Sequence, residues 1–532
     1  MSNKRLIKST GTISAATLAS RILGFIRDIL IANYFGTTIF AEAFVISFRI
    51  PNLLRDLVGE GAANAAFVPV LTEYSATRSK EEFWRLSRHL FYILTFTLFM
   101  ISLAGIIFAP AIVRLIAPGF IRDPRELEIT VQLTRIVFPF IFFIGLVAWG
   151  MGVLNSLDHF AVPALGPVLL NATMISFMVY YMYFIGMGQA GGIIRLGAAV
   201  LAGGAIQMLV MWRILRKKGF RFFSHAGEKA KKKAFFDPAV KRIWKLLVPR
   251  LFGSAVYQLS VIVDNIFSTF KWIVGTGAPA ALWYSYRLFH LPLAIFGISL
   301  ATVALPKMSR EVARKEMLSF KETINFSLRS VFLVLIPASV GLITLGKPIV
   351  RVLFERGEFT SYSTSITSSA LFFYAFGLFA CGGIKILVNS FFSLGDTLTP
   401  VKVASFSFFI NLALNAVLMW PLKVGGLALA TSVAATFNFL MLYRSLVRKI
   451  GDIGISKIAA SLWRIVTASL IMGIFSFAAG QFLNGMKGDA LIKGAGILAV
   501  ITASAVIYVL SAFALGVNEI KGVLKWVLKR RS

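Results

Sequence analysis

The sequence predicts an all-α polytopic membrane protein of about fourteen transmembrane helices, set out as two parallel six-helix lobes plus two extra C-terminal helices. Three observations predict it. The 532 residues are 57% hydrophobic and only 15% charged, with mean hydropathy +0.79. Apolar runs near the ~20 residues that cross a hydrocarbon core recur from end to end. The chain also repeats itself at a fixed offset. A membrane β-barrel is excluded, because its signature is segments of ~10 residues with alternating polarity.

The spans fall near 10–34, 39–62, 90–116, 130–154, 161–184, 192–215, 246–272, 279–303, 327–346, 366–391, 400–420, 424–446, 459–483 and 491–515. The formal net charge of +32 would suggest nucleic acid in a soluble protein. Here most Lys and Arg lie between spans: Arg78 to His89, Arg213 to Lys245, Lys307 to Lys321, Arg444 to Lys457 and Lys521 to Arg531. That is the positive-inside pattern, with the basic segments facing anionic headgroups. A cytoplasmic N-terminus puts all five clusters inside, and an even span count returns the C-terminus there. The start of the chain reads as the first span, not a cleaved signal, because Arg21 interrupts the apolar run.

Short matches mark the repeat. Pro69 pairs with Pro306 (306 − 69 = 237), and Ile112-Val113-Arg114-Leu115 pairs with Ile349-Val350-Arg351-Val352 at the same offset. Ser156-Leu157 with Pro163 pairs with Ser393-Leu394 with Pro400; Ser47-Phe48-Arg49 pairs with Ser285-Tyr286-Arg287. Six spans per repeat give both halves the same orientation, as in transporters whose lobes flank a central site. The expected divisions are an N-lobe at 1–218, a basic cytoplasmic linker at 219–245, a C-lobe at 246–448, and a helix pair with a basic tail at 449–532.

Function is first visible in cations at bilayer depth. Arg21 and Arg27 lie in the first span, Arg49 and Arg55 in the second, and Arg287 midway along the eighth. Each such cation costs roughly 2.5–3.5 kcal/mol on insertion scales, so it faces protein or a water-filled cavity. Converging guanidinium forks suit phosphate oxygens. Arg21 and Asp28 are seven residues apart and share a helix face. Pro51, Gly59 and Gly61 weaken the second helix near Arg49, Arg55, Asp56 and Glu60, and broken helices at this depth line cavities. The alternative for Arg27–Asp28 and Arg55–Asp56 is internal ion pairing. For Arg49 it is packing near an interface, and for Arg287 snorkelling to the interface.

A second polar group offers oxygen ligands. Asp264 lies in span seven, Asn411 and Asn415 share a face of span eleven, and Thr431 is in span twelve. Such a set suits a hard cation such as Na⁺; interhelical hydrogen bonding is the other reading. Lys385 and Asn389 face either a cavity or a neighbouring helix. No other cofactor is expected. The single cysteine, Cys381, excludes an intramolecular disulfide, and four scattered histidines lack zinc spacing. No P-loop, nucleophile–histidine–acid set or loop Asp-rich motif suggests an enzyme. Asn171-Ala172-Thr173 fits a glycosylation pattern, but within a span it has no such meaning.

The segments Ser20-Arg21-Ile22-Leu23-Gly24-Phe25-Ile26-Arg27-Asp28, Pro51-Asn52-Leu53-Leu54-Arg55, Glu60-Gly61-Ala62 and Ala66-Phe67-Val68-Pro69 resemble the MurJ (MviN) lipid II flippases. So do Ala117-Pro118-Gly119-Phe120, Gly357-Glu358-Phe359-Thr360 and Thr399-Pro400-Val401-Lys402. The resemblance covers the whole chain. It implies the fold of the multidrug/oligosaccharidyl-lipid/polysaccharide exporter superfamily and lipid II, an undecaprenyl-pyrophosphate glycolipid, as substrate. It implies cavity roles for Arg21, Arg27, Asp28, Arg55, Glu60 and Arg287, and a groove for the polyprenyl tail on spans thirteen and fourteen. Glu42 stands where some members have Asp, and Asp56 where some have a second arginine. The expected setting is the bacterial cytoplasmic (inner) membrane. The expected partners are lipid II, membrane lipids and the cell-wall synthesis machinery, with no nucleic acid and a single chain as the working unit. The rivals are carriage of another polyprenyl-linked glycan or a drug, an integral glycosyltransferase, and a scaffold for cell-wall machinery.

Overall fold

The computed structural model describes residues 3–55, 63–159, 161–221, 238–485, 490–517 and 519–520, and these form helices and short connections without strands. The fold is all-α and polytopic. Among the described residues ten helices are long and apolar enough to cross a membrane, eleven if the pair Ser361–Ala375 and Leu378–Ser393, bent by 45°, counts as one span. The three expected spans outside that group are the first, second and seventh. They correspond to α1 (Asn3–Phe35), α2 (Ile39–Arg55) and a later helix, Pro238–Ser268. Arg21, Arg27 and Asp28 sit on α1, Glu42, Arg49 and Arg55 on α2, and Asp264 on the later helix. Arg287, Asn411, Asn415 and Thr431 sit on helices within that group.

The first repeat continues with α3 (Ala63–Thr77), α4 (Lys80–Ile107), α5 (Ala109–Ile116), α6 (Pro124–Val137), α7 (Phe140–Ser156), α8 (Ala161–Met178) and α9 (Gln189–Lys217). The second begins with α10 (Pro238–Ser268), then α11 (Ala278–Pro292), α12 (Ser299–Ala313), α13 (Met317–Phe354), α14 (Ser361–Ala375), α15 (Leu378–Ser393), α16 (Leu398–Leu422) and α17 (Val424–Ile450). Corresponding helices start at the sequence offset: Lys80 and Met317 (317 − 80 = 237), Pro124 and Ser361, Ala161 and Leu398. Two helices, α18 (Ile455–Gly485) and α19 (Ala490–Ala514), lie beyond the repeat.

Both repeats break the same helix. In the first, Pro139 cannot donate a backbone bond, and α6 gives way to α7 there. In the second, the break at Phe376-Gly377 is held by α17. A Cβ on Gly377 would stand 2.8 Å from the Ser432 Cα, so only glycine admits that helix. Ser432 Oγ then donates to the Phe373 and Tyr374 carbonyls, at 2.7 and 3.2 Å. It satisfies acceptors that an interrupted helix would otherwise strand.

By contacts the chain divides into two compact units, Met1–Thr269 and Phe270–Ser532. Within the first, α1 packs along α8, α2 along α6, and α3 along α7. Ser47 Oγ of α2 donates to the Thr130 carbonyl at 3.0 Å and accepts from Thr134 Oγ1 at 3.1 Å. These fully buried hydroxyls fix the rotation of α2. By repeat α10 opens the second six. Its described contacts run to α3, α4, α5 and the 3-10 turn Pro118–Arg122. Its end is pinned where the Gly119 N–H donates to Thr269 Oγ1 at 3.1 Å.

Within the second unit, the 38-residue α13 is the shared wall. One side meets α14 and α15, the other α18 and α19. Polar clasps fix the extra pair to it. Asn325 Nδ2 donates to the Ile453 and Gly454 carbonyls, Thr344 Oγ1 meets Ser476 Oγ at 2.9 Å, and the Tyr508 hydroxyl donates to the Leu333 carbonyl at 2.6 Å. Glu519, buried, accepts from Arg329 and Ser461.

Candidate substrate site

The best-defined group of candidate residues sits where α1 crosses α8. Arg27 and Asp28 are 6% and 1% exposed. Asp28 Oδ1 accepts from Arg27 Nε at 3.1 Å and Nη2 at 2.7 Å. Arg27 Nη1 donates to Asn171 Oδ1 of α8 at 2.9 Å, and Asn171 Nδ2 donates back to the Ser20 carbonyl at 3.1 Å. Ser20, Gly24 and Arg27 are spaced four and three residues apart, so they present one helix face. Gly24 lets that face approach: a Cβ there would lie 3.3 Å from Asn171 Nδ2. The internal ion pairing that stood as the alternative to a substrate role for Arg27–Asp28 is therefore present, with Asn171 as a third member. In the sequence Asn171 is a lone amide in an apolar span.

Arg21, seven residues before Asp28, is exposed while Asp28 is buried. The seven-residue step sets direction, but how far each level is covered depends on neighbouring helices. On α2, Glu42 is fully buried in the first turn and Arg49 is partly buried. Pro51 lies inside α2, and the helix ends its described course at Arg55. The Arg55 side chain, Asp56, Gly59, Glu60 and Gly61 lie outside the described residues.

In the second unit Arg287 is partly buried on α11. Its guanidinium carbon stands 4.6 Å from the centre of the Trp283 ring, one turn earlier. Such a contact contributes about 0.5–2 kcal/mol. Tyr284, the residue after Trp283, is fully buried against Phe354 and Phe359. The aromatic run thus divides into a lobe-facing anchor and a ring that carries the arginine.

The oxygen-rich group is joined in part. Asn415 Nδ2 donates to Asn411 Oδ1 at 3.1 Å, Asn411 Nδ2 to Thr431 Oγ1 at 3.4 Å, and Thr431 Oγ1 to the Leu427 carbonyl. Asn411 and Asn415 are buried. Their amide oxygens and the threonine hydroxyl are hard donors of the kind Na⁺ accepts. Asp264, partly buried on α10, belongs to the first unit. Among the described residues no group of three or more His, Cys, Asp or Glu is placed to hold a metal. Asn389 Nδ2 donates to the Ala301 carbonyl of α12 at 2.8 Å, so it serves a neighbouring helix; Lys385 is exposed.

Residues 31–495 match the family described as Lipid II flippase MurJ. The chain belongs to that family. A probable lipid II flippase MurJ of Vibrio cholerae is 37% identical over 455 residues, covering 84% of this chain and 83% of the relative. One of Buchnera aphidicola is 33% identical over 473 residues, covering 89% and 90%. Among solved structures, a lipid II flippase MurJ in an inward closed conformation aligns with TM-score 0.77 and 27% identity, covering 94% of this chain and 97% of that one. A multidrug-resistance transporter of the MOP superfamily, facing inward, aligns with TM-score 0.68 at 14% identity over 82% of this chain and 96% of that one. That second likeness shows that MurJ members and MATE transporters share the fold.

Proposed function

We propose that this chain carries lipid II across the bacterial cytoplasmic membrane, from inner to outer leaflet, by alternating access of its two lobes. The observation that carries the reading is the Arg27–Asp28–Asn171 group, a buried guanidinium fixed from two helices in a chain of the MurJ family. Arg287, supported on Trp283, is the second lobe's contribution, and Arg21, Arg49, Arg55 and Glu60 complete the set. The arginines take the pyrophosphate, the sugar–peptide headgroup fills the cavity, and the polyprenyl tail stays in lipid along α18 and α19. Release follows from weaker contacts in the outward state, since a ligand shifts a conformational equilibrium only through differential affinity.

The finer parts of this reading follow from the same residues. The protein is a carrier and not an enzyme. The lobes are the two sets of six spans, joined by a basic cytoplasmic segment near 219–245. Both termini face the cytoplasm, by the placement of basic clusters at the junctions after spans two, six, eight and twelve. The oxygens of Asn411, Asn415 and Thr431 are the donors that would hold Na⁺ within the second unit. A single chain is the working unit, surrounded by membrane lipids and served by cell-wall synthesis enzymes.

The direct test is complementation of a bacterium depleted of its own lipid II flippase, together with binding of lipid II by the purified protein. Growth and binding are expected. An inserted protein that supports neither, but binds a different polyprenyl-linked glycan, would move the assignment to that cargo.

A further inference from the structure

We propose that Asn171 is a positioning residue of the substrate site: it holds the Arg27 guanidinium in place while the outer edge of that group meets the pyrophosphate. The proposal rests on the lipid II reading above and deepens it.

The geometry is specific. An arginine has five N–H donors in a rigid plane. Three of Arg27's are engaged among the described residues, two by Asp28 and one by Asn171. Asp28 alone fixes one edge and leaves the plane free to swing about it. Asn171 fixes a second nitrogen from another helix, which sets the plane. Asn171 is itself immobilised, because its amide donates to the Ser20 carbonyl one turn above Gly24. It is 6% exposed and packed against Gly24. An amide does this without adding charge. A carboxylate at 171 would neutralise the guanidinium that the pyrophosphate needs, and a lysine or arginine would repel it.

The opposite reading is that Asn171 parks Arg27 away from the guest until transport begins. Parking requires Arg27 to leave Asp28 Oδ1, breaking two hydrogen bonds to a carboxylate that is 1% exposed. Holding lets the ion pair persist through the cycle, with two N–H groups left for phosphate oxygens. The held state is therefore the one in which the substrate binds.

The test is a double-mutant cycle on lipid II binding by full-length protein in nanodiscs. Asn171→Leu should weaken binding about tenfold, and Arg27→Ala by more. In the Arg27→Ala background, Asn171→Leu should cost less than twofold further, because the group it positions is gone. Asn171→Asp keeps the acceptor for Nη1 and adds an anion, so its binding should be weaker than wild type at low salt and fall less steeply as salt rises. A purely structural asparagine would give losses that add in full, and that result would overturn the proposal. Tighter binding by Asn171→Leu would establish parking instead. Should the leucine variant fail to insert, Asn171→Thr, too short to span to Nη1, carries the same cycle. Failure of the wild type to bind lipid II would sink the underlying reading and not this inference alone.

Discussion

At the residue scale, two arginines are held in different ways, and this sets what their loss should do. Arg27 is one half of a buried pair. Removing it takes two hydrogen bonds from a buried carboxylate, and breaking a buried pair costs about 3–5 kcal/mol. Arg27→Ala should therefore lower the melting temperature as well as abolish complementation. Arg287 lies over Trp283 and is only partly buried. Arg287→Ala should melt within a few degrees of wild type yet fail to support growth. Arg287→Lys should rescue only partly, because an ammonium lacks the planar fork that matches phosphate. Thermal melts beside growth assays separate the two cases; normal growth from Arg287→Ala at native expression would remove Arg287 from the site. Much of this was legible in the sequence, since an arginine in an apolar span needs a reason. The role of Asn171 was not, because an isolated amide carries no spacing that names its partner 144 residues away.

At the element scale, the periodicity of apolar runs located the helices well. The repeat offset was visible in four short matches and returns as helix starts that coincide. What the sequence left out was how α18 and α19 attach. Read as spans outside the repeat, they look dispensable to the fold. In the structure they cover a full side of α13 through Asn325, Thr344 and Leu333. Truncation after Val447 strips those partners away. The shortened protein is expected to insert, to melt several degrees lower, and to bind lipid II more weakly. Unchanged binding in the truncated protein would show that the polyprenyl tail does not use α18 and α19. Helix attachment of this kind depends on single polar side chains inside apolar runs, which hydropathy averages away.

At the scale of the whole molecule, transport needs linked spans and a supply of free energy. The loop between α15 and α16 is tied to the end of α17, outside the spans. Lys449 donates to Asp396, and Thr399 donates from its backbone at 2.9 Å and from its hydroxyl at 2.8 Å. The Lys449 ammonium foremost, then the Thr399 N–H, hold the Asp396 carboxyl well below the usual carboxylate range. A depressed folded value means that the tie stabilises above the unfolded carboxylate range, near 3.9, and weakens as pH falls below it. Asp396→Asn should lower the melting temperature slightly at pH 7, and the gap should close towards pH 3. A constant gap across that range would show that the charge is immaterial. Sodium is a separate question. If the Asn411–Asn415–Thr431 group takes Na⁺, sodium in place of choline should raise the melting temperature by mass action. Thr431→Val should abolish that gain, whereas identical melts in sodium, potassium and choline would leave the group as interhelical hydrogen bonds alone.

This molecule is expected to move lipid II through the arginines of its helices, Arg27 and Arg287 foremost. The most direct measurement is transbilayer movement of labelled lipid II in proteoliposomes of the purified protein, read as label accessible to an impermeant reagent. Wild type should equilibrate the label across the bilayer at a rate well above protein-free vesicles, and Arg287→Ala, reconstituted in equal amount, should fall to the protein-free rate. Movement by the wild type no faster than in empty vesicles under every ion gradient tried, or equal movement by wild type and Arg287→Ala, would contradict the account.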